Sequence, residues 1–273
     1  MKKIDVTLED QIVKEYKHGY GTKYLASHFH IHRTTIQRIL KRRKVGLRKR
    51  SSLYHYDPTF FDEYNELSCY WAGFIWADGH IRKDRHILHI KLAEQDSEHL
   101  ASFLKHIRSE RLVHKYQHAH RDTFYVVVDI CGDWFLNSLS VKFGLSRDKK
   151  VRSHPLTLIP PQYHSHFLRG LFDGDGCVTT PKGHVCLMNF AGDKNLIEPL
   201  SQYFGDQLDV HLKSRNRYAP FIWNPWQTAG HINYSGKNAI KILSWLYEGA
   251  TFCMGRKHMR FQKIMEMQTK SVV

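Results

Sequence analysis

Long apolar runs are missing from this sequence. No stretch approaches the roughly 18 residues that a membrane-spanning helix needs, and nothing near the N-terminus has the apolar core of a signal peptide, so neither membrane spanning nor secretion is expected. Cysteine is scarce as well. Cys69, Cys131, Cys177, Cys186 and Cys253 are odd in number and contain no C-x-x-C pair, which argues against a disulfide framework and for reduced core thiols. The twenty histidines do not supply a structural zinc site, because tight groups such as His28-Phe29-His30-Ile31-His32 have no cysteine partners and match no zinc spacing. Acidic residues are the other shortage: 26 Asp and Glu face 41 Lys and Arg, for a net charge of +15. An excess of that size calls for a polyanionic partner, and nucleic acid is the commonest one.

What the 273 residues do contain is enough apolar material for a sizeable core. Leu8 to Lys44 read as three short helices. Ile12, Val13 and Tyr16 line the first, Leu25, Ala26 and Phe29 the second, and Ile36, Ile39 and Leu40 the third. A tight turn at His30-Ile31-His32 separates the last two, with Thr34 and Thr35 opening the third. This stretch resembles a helix-turn-helix of the resolvase or phage-regulator type, with small Ala26 at the helix crossing, Ile31 and Ile36 at the buried positions, and His30 where that type usually has Gly. The resemblance implies that the third helix enters the major groove and offers Arg33, Thr34, Gln37, Arg38 and Lys41 to DNA. Arg42 and Arg43 join them by opening the run Lys41 to Arg50, which has seven basic residues in ten and reads as a phosphate-binding arm or a disordered basic tail. Ser51 to Tyr56 then reads as a linker before Asp57-Pro58.

Beyond the linker the chain carries one pattern twice. Trp71-Ala72-Gly73-Phe74-Ile75-Trp76-Ala77-Asp78-Gly79 and Leu168-Arg169-Gly170-Leu171-Phe172-Asp173-Gly174-Asp175-Gly176 are apolar helical stretches that end in a small residue, Asp and Gly. Gly73 and Ala77, like Gly170 and Gly174, lie four apart on one helical face, where missing side chains let two backbones approach. Each helix stops at Gly. The Asp before it is badly placed, since a helix C-terminus carries partial negative charge and an anion there costs roughly 0.3–1 kcal/mol. Both ends therefore call for a cation.

After each motif the period turns from helical to alternating. In the first repeat, Ile81 and Ile87 to Leu92 form a hairpin turning at Lys83-Asp84-Arg85, apolar on one face and carrying Arg82, His89 and Lys91 on the other. Asp96 is the expected N-cap of a helix through Leu100, Phe103, Leu104 and Ile107. Leu112 to Tyr116 and Thr123 to Ile130 form a second hairpin, followed by a helix through Trp134, Phe135, Leu139 and Phe143. The second repeat runs through Cys177 to Thr180, a Pro181-Lys182-Gly183 turn, Val185 to Phe190, a helix headed by Asp193, strands His211 to Trp223 and Gln227 to Tyr234, and a helix from Ile240 to Leu246. This order is a sign of internal duplication.

The double motif, each copy opening an αββαββα half, resembles the LAGLIDADG homing endonuclease family in its single-chain, two-motif form, over roughly residues 60 to 268. Leu246-Tyr247-Glu248-Gly249-Ala250-Thr251 followed by Arg256-Lys257 is similar to that family's last-helix segment. The resemblance implies an α+β fold of two pseudo-symmetric halves, 60–164 and 165–273, forming a DNA-binding saddle. Before them come a helix-turn-helix domain at 1–50 with its basic arm and a linker at 51–59. It implies a monomeric, site-specific endonuclease that hydrolyses one phosphodiester in each strand of double-stranded DNA, of the kind that moves introns or inteins, located in a bacterial or phage-infected cytoplasm or in an organelle. Asp78 and Asp175 would be catalytic and hold Mg²⁺ (or Mn²⁺), with the carbonyls of Ala77 and Gly174 completing the shell. Lys149 or Lys150 in the first half, and Lys257 with Arg256 in the second, would polarise water and stabilise the pentacoordinate charge. Arg82, Lys91, Lys213, Arg215 and Arg217 would face DNA.

Two residues depart from the family pattern: Trp76 stands for the first Asp of Asp-x-Asp, which Asp173 keeps, and Arg169 stands at an Ala position. The first substitution predicts unequal packing of the two halves. Asp173-Gly-Asp175-Gly also resembles the start of an EF-hand loop, but Cys177 and Val178 fall where oxygen ligands should continue. The competing reading is a DNA-binding regulator or RNA-maturation factor on the same fold without nuclease activity. A basic RNA-binding structural protein would need aromatic platforms that Phe124, Tyr125 and Trp226 do not clearly make.

Overall fold

The computed structural model describes residues 5–17, 22–47, 55–82, 87–118, 122–145, 154–180, 185–212, 221–223 and 229–270. Helices α1 (Val6–Lys17), α2 (Thr22–His28) and α3 (Arg33–Arg42) come first and bury a core of their own, formed by Ile12, Tyr16, Leu25, Ile36, Ile39 and Leu40. His30 adopts φ 52° in the turn before α3. It is a left-handed residue that imidazole tolerates better than most side chains. The amide of Ile31 then closes α2 on the carbonyl of Ala26 at 2.9 Å. The third helix opens one residue earlier than the sequence suggested, at Arg33, where His32 is the N-cap and accepts from the Thr34 amide.

The remaining elements make two antiparallel four-stranded sheets with helices. The first repeat consists of α4 (Glu66–Asp78), β1 (Gly79–Arg82), β2 (Ile87–Ala93), α5 (Ser97–His106), β3 (His114–Gln117), β4 (Phe124–Cys131) and α6 (Asp133–Phe143). The second consists of α7 (His164–Asp175), β5 (Cys177–Thr179), β6 (Leu187–Asp193), α8 (Lys194–Leu208), β7 (Phe221–Trp223), β8 (Ala229–Ser235) and α9 (Gly236–Tyr247), after which α10 (Gly255–Lys270) follows. The sheets have the same order, β1-β2-β4-β3 and β5-β6-β8-β7. Of the His211 to Trp223 strand expected, the described residues show Phe221–Trp223 as β7; residues 213–220, and the turns at Lys83-Asp84-Arg85 and Pro181-Lys182-Gly183, lie outside them.

Strand register sorts the side chains by face. Ile81 pairs with Leu88, which pairs with Ile130, and all three are buried; His80 pairs with His89, which pairs with Asp129, on the other face. The second sheet buries Val178, Met188 and Tyr234 and leaves Cys177, Asn189 and Asn233 on its open side.

Both sheets are tied together by α4 and α7. Every residue of α4 from Ser68 to Trp76 is buried, because this helix has sheet on one side and α7 on the other. It starts on a capping box, the Asn65 side chain accepting from the Ser68 amide at 2.9 Å while the Ser68 hydroxyl accepts from the Asn65 amide at 3.0 Å. At the crossing the contacts are reciprocal. A Cβ on Gly73 would overlap the Phe167 carbonyl oxygen and come within 2.9 Å of the Leu171 nitrogen, and one on Gly170 would overlap the Tyr70 carbonyl oxygen and come within 2.8 Å of the Phe74 nitrogen. Backbone touches backbone at both points.

The terminal glycines act differently from ordinary helix stops. Gly79 (φ −84°) and Gly176 (φ −75°) are extended, not left-handed. They are glycine because a side chain would strike the Ile75 carbonyl in one case and the Phe172 ring and carbonyl in the other. Gly170→Ala should lower stability by about 3 kcal/mol or more, since neither wall can retreat without moving a helix. A chemical denaturation midpoint within error of the parent would contradict the contact.

Candidate active site

The two aspartates that the sequence singled out come together where α4 and α7 end. A Cβ on Gly174 would lie 3.2 Å from Oδ2 of Asp78, so the Asp78 carboxylate reaches across to the end of the other motif helix. Burial, and then the charge of Asp175, push the Asp78 carboxyl up from 3.8 to about 7; Lys257 and Arg256 work in the opposite direction. Partial burial and a second carboxylate disfavour the charged form, and a cation between the two would offset both. Two hard oxygen donors at one point suit Mg²⁺ or Mn²⁺, which take few protein ligands and share the rest with water and phosphate. Among the described residues no group of three or more His, Cys, Asp or Glu forms a closed metal cage. The fit is thus to an open site of two carboxylates.

The lysine and arginine at the start of α10 separate. Lys257 is 4% exposed, and its ammonium donates to the carbonyls of Phe172 (2.6 Å), Gly174 (3.0 Å) and Gly176 (2.6 Å). Burial brings its pKa down from 10.5 to about 8, against the opposing charge of Asp173. This places a cation on the last turn of α7, where the helix dipole favours one. Arg256 instead crosses to the first repeat, its Nε donating to Asp96 Oδ1 at 2.7 Å and its Nη2 to Oδ2 at 3.2 Å. The expectation for Asp96 is corrected accordingly: it occupies the position before α5 but makes no side-chain cap bond, because its buried carboxylate is spent on Arg256. Arg256, expected beside Lys257 in the second half, makes its ion pair with a residue of the first. Lys149 and Lys150 lie outside the described residues.

The departure at Trp76 has a clear structural basis. In the second motif Asp173 is fully buried and accepts from Tyr70 Oη (2.8 Å), Tyr247 Oη (2.8 Å) and the Met254 amide (2.7 Å). Trp76 reverses the polarity at the matching position, its indole N–H donating to the Phe143 carbonyl at 2.8 Å. Both side chains tie a motif helix to the chain that leaves the repeat's last helix, one as acceptor and the other as donor.

Sequence reasoning missed the network that holds these ends in place. Arg169, with no exposed surface, donates to Glu66 Oε1 (2.7 Å) and to the carbonyls of Leu246 and Phe252, both at 3.0 Å. Glu66 in turn accepts from the amide and hydroxyl of Thr251, each at 2.8 Å. Thr251 and Arg169 hold the Glu66 carboxyl below its usual value against the cost of burial. Arginine at a small apolar position of a buried helix was the available signal, since a buried guanidinium demands a carboxylate. His99 was missed too. Burial takes it down to about 4, and its Nε2 lies 3.0 Å from the Tyr70 hydroxyl, which donates to Asp173.

The residues expected at DNA are spread over two surfaces. Thr34, Gln37, Arg38 and Lys41 line an open groove of about 630 Å³ with Lys44, Val45, Gly46 and Leu47. Arg33 donates to Thr22 Oγ1 at 3.1 Å. Arg42 and Arg43 differ from the reading of a free arm: both bond the buried carboxylate of Glu9, and Arg43 also pairs with Asp10 at 2.6 Å, so they fasten α1 to the end of α3. Arg82 and Lys91 sit on the open face of the first sheet, the Lys91 ammonium 3.8 Å from the centre of the Tyr125 ring. Lys213, Arg215 and Arg217 lie outside the described residues.

The raised carboxyl of Asp78 fixes the sign of a pH effect. Its folded value near 7 exceeds the ordinary 3.8, so the native state holds the extra proton between those limits and stability falls as pH rises through that window. Asp78→Asn, measured without divalent metal, should be more stable than the parent by roughly 1–3 kcal/mol at pH 8 and equal to it near pH 4. Equal stability at both pH values would remove the carboxylate pair from the account.

No family model matches the chain, and no curated protein matches it. Among solved structures it is similar to full-length DUF199/WhiA from Thermatoga maritima, at 15% identity and a TM-score of 0.45, covering 78% of this chain and 65% of that one. It is also similar to the LAGLIDADG meganuclease I-CpaMI bound to uncleaved DNA (13% identity, TM-score 0.43, 75% of this chain and 90% of that one). The LAGLIDADG homing endonuclease I-SmaMI bound to cleaved DNA gives 11% identity and a TM-score of 0.45 over 77% of this chain and 91% of that one.

Proposed function

We propose that the chain is a divalent-metal-dependent endonuclease that cleaves both strands of duplex DNA, of the LAGLIDADG homing type, with an N-terminal helix-turn-helix that adds DNA affinity. The observation that carries this reading is the meeting of Asp78 and Asp175 at the ends of two helices in backbone contact, where burial and the neighbouring carboxylate raise the Asp78 carboxyl. Nothing in the packing asks for two carboxylates there. Two further features support it: the open sheet faces carry polar and basic side chains such as Arg82, His89 and Lys91, and the chain has a net charge of +15.

In the proposed reaction, Asp78 and Asp175 are the residues that would hold Mg²⁺. The bound ion would supply charge stabilisation for water attack on phosphorus and for the leaving 3′-oxygen. Lys257 holds the end of α7 and so the position of Asp175, while Arg256 adds positive charge beside Asp78, held there by Asp96. Side chains on the open sheet faces position the duplex, and the α3 groove contributes Gln37, Arg38 and Lys41 to a neighbouring stretch of DNA.

One observation favours the alternative, a DNA-binding protein of this architecture that does not cut. All three ammonium protons of Lys257 are committed to carbonyls, which leaves none for the attacking water. Incubation with fragmented genomic DNA and Mg²⁺, with end mapping, separates the readings. Discrete double-strand breaks are expected, lost on addition of a chelator and abolished in Asp78→Asn/Asp175→Asn while binding persists. Salt-dependent binding with no breaks under any divalent ion would establish the alternative. Arg38→Ala should weaken binding to all sequences or to one base position, and in the first case it lowers the salt slope by about one.

A further inference from the structure

The Gly174 carbonyl is claimed twice. As the residue before the last Asp of its motif it would complete a metal shell, yet it already accepts from the buried ammonium of Lys257 at 3.0 Å. The same ammonium is held on either side by the carbonyls of Phe172 and Gly176, both at 2.6 Å. Three donors meet three acceptors in a place that water barely reaches, so the lysine is saturated and fixed. It is also within electrostatic range of Asp78. A divalent ion sharing that carbonyl would add a second cation to an oxygen that already accepts from one.

We propose that Lys257 is a resident cation of this centre: it occupies the Gly174 carbonyl in place of metal, so that a divalent ion is held by Asp78 and Asp175 without that ligand and more weakly than the two carboxylates would hold it alone. The proposal rests on reading the aspartates as metal ligands. It makes Lys257 a positioning residue, acting through the end of α7 and through the charge that the ion feels, and not a donor to the reacting atoms. Weak binding in the free protein leaves the phosphates of bound DNA to complete the ion's shell, so metal uptake is coupled to substrate.

The test is Mn²⁺ binding to the full chain without DNA, followed by the paramagnetic signal of the free ion. Lys257→Gln keeps two N–H donors for the carbonyls and removes the charge; Lys257→Met removes both; Lys257→Arg keeps the charge. Gln and Met variants should bind Mn²⁺ about tenfold more tightly or better than the parent, and the Arg variant as weakly as the parent. If Lys257→Met fails to fold, the Gln and Arg pair still decides. Unchanged or weaker affinity in Lys257→Gln overturns the proposal, as does tighter binding in Lys257→Arg. Asp78→Asn placed in the Lys257→Gln background should abolish the gain. If parent and Asp78→Asn bind Mn²⁺ equally, or neither binds it at millimolar concentration, the metal reading of the aspartates fails; competition by Lys257 is then overturned with it.

Discussion

Two backbones in contact at Gly73 and Gly170 impose most of what else is seen. Helices that touch without intervening side chains must continue in register to their ends, and their ends carry Asp78 and Asp175. The crossing therefore positions the carboxylates, and it does so at an energetic disadvantage: like charges meet at the negative poles of two helices. Everything around the crossing compensates. Lys257 caps one helix, Arg256 adds positive charge toward the other from its pair with Asp96, and burial together with Asp175 raises the Asp78 carboxyl.

A second consequence concerns symmetry. The sheets share one strand order and the motif helices share one contact, but the polar anchors beneath them are inverted. Asp173 collects three donors, whereas Trp76 gives one. Arg169 likewise ties α7 to Glu66 at the start of α4, to the last turn of α9 and to the segment after it. Once duplicated halves have been locked by different polar groups, neither can be exchanged for the other.

The motif pair, the α+β repeat and the three opening helices were readable because each is a local pattern: small residues four apart, alternation after a helix end, apolar periodicity. The capping role of Lys257 was not readable, since only the folded chain brings its ammonium to carbonyls some eighty residues earlier. Arg42 and Arg43 show the same limit in reverse. A run of basic residues looks like a solvated arm until Glu9, an acidic residue on the first helix, proves to be buried against two of them. Asp96 fits the N-cap pattern by position, and a stronger partner from the far end of the chain took its carboxylate.

The segment from Tyr247 to Lys257 bonds residues as early as Glu66 and supplies partners to Asp96, Arg169, Asp173 and the end of α7. Chains emerge from the ribosome N-terminus first. Until these residues are released, Arg169 has Glu66 but neither of its carbonyl acceptors, Asp173 has Tyr70 but neither Tyr247 nor the Met254 amide, and the first repeat's Asp96 has no arginine. The polar network around the carboxylates is thus a late product of synthesis, completed only after both motif helices and their glycine crossing have been made.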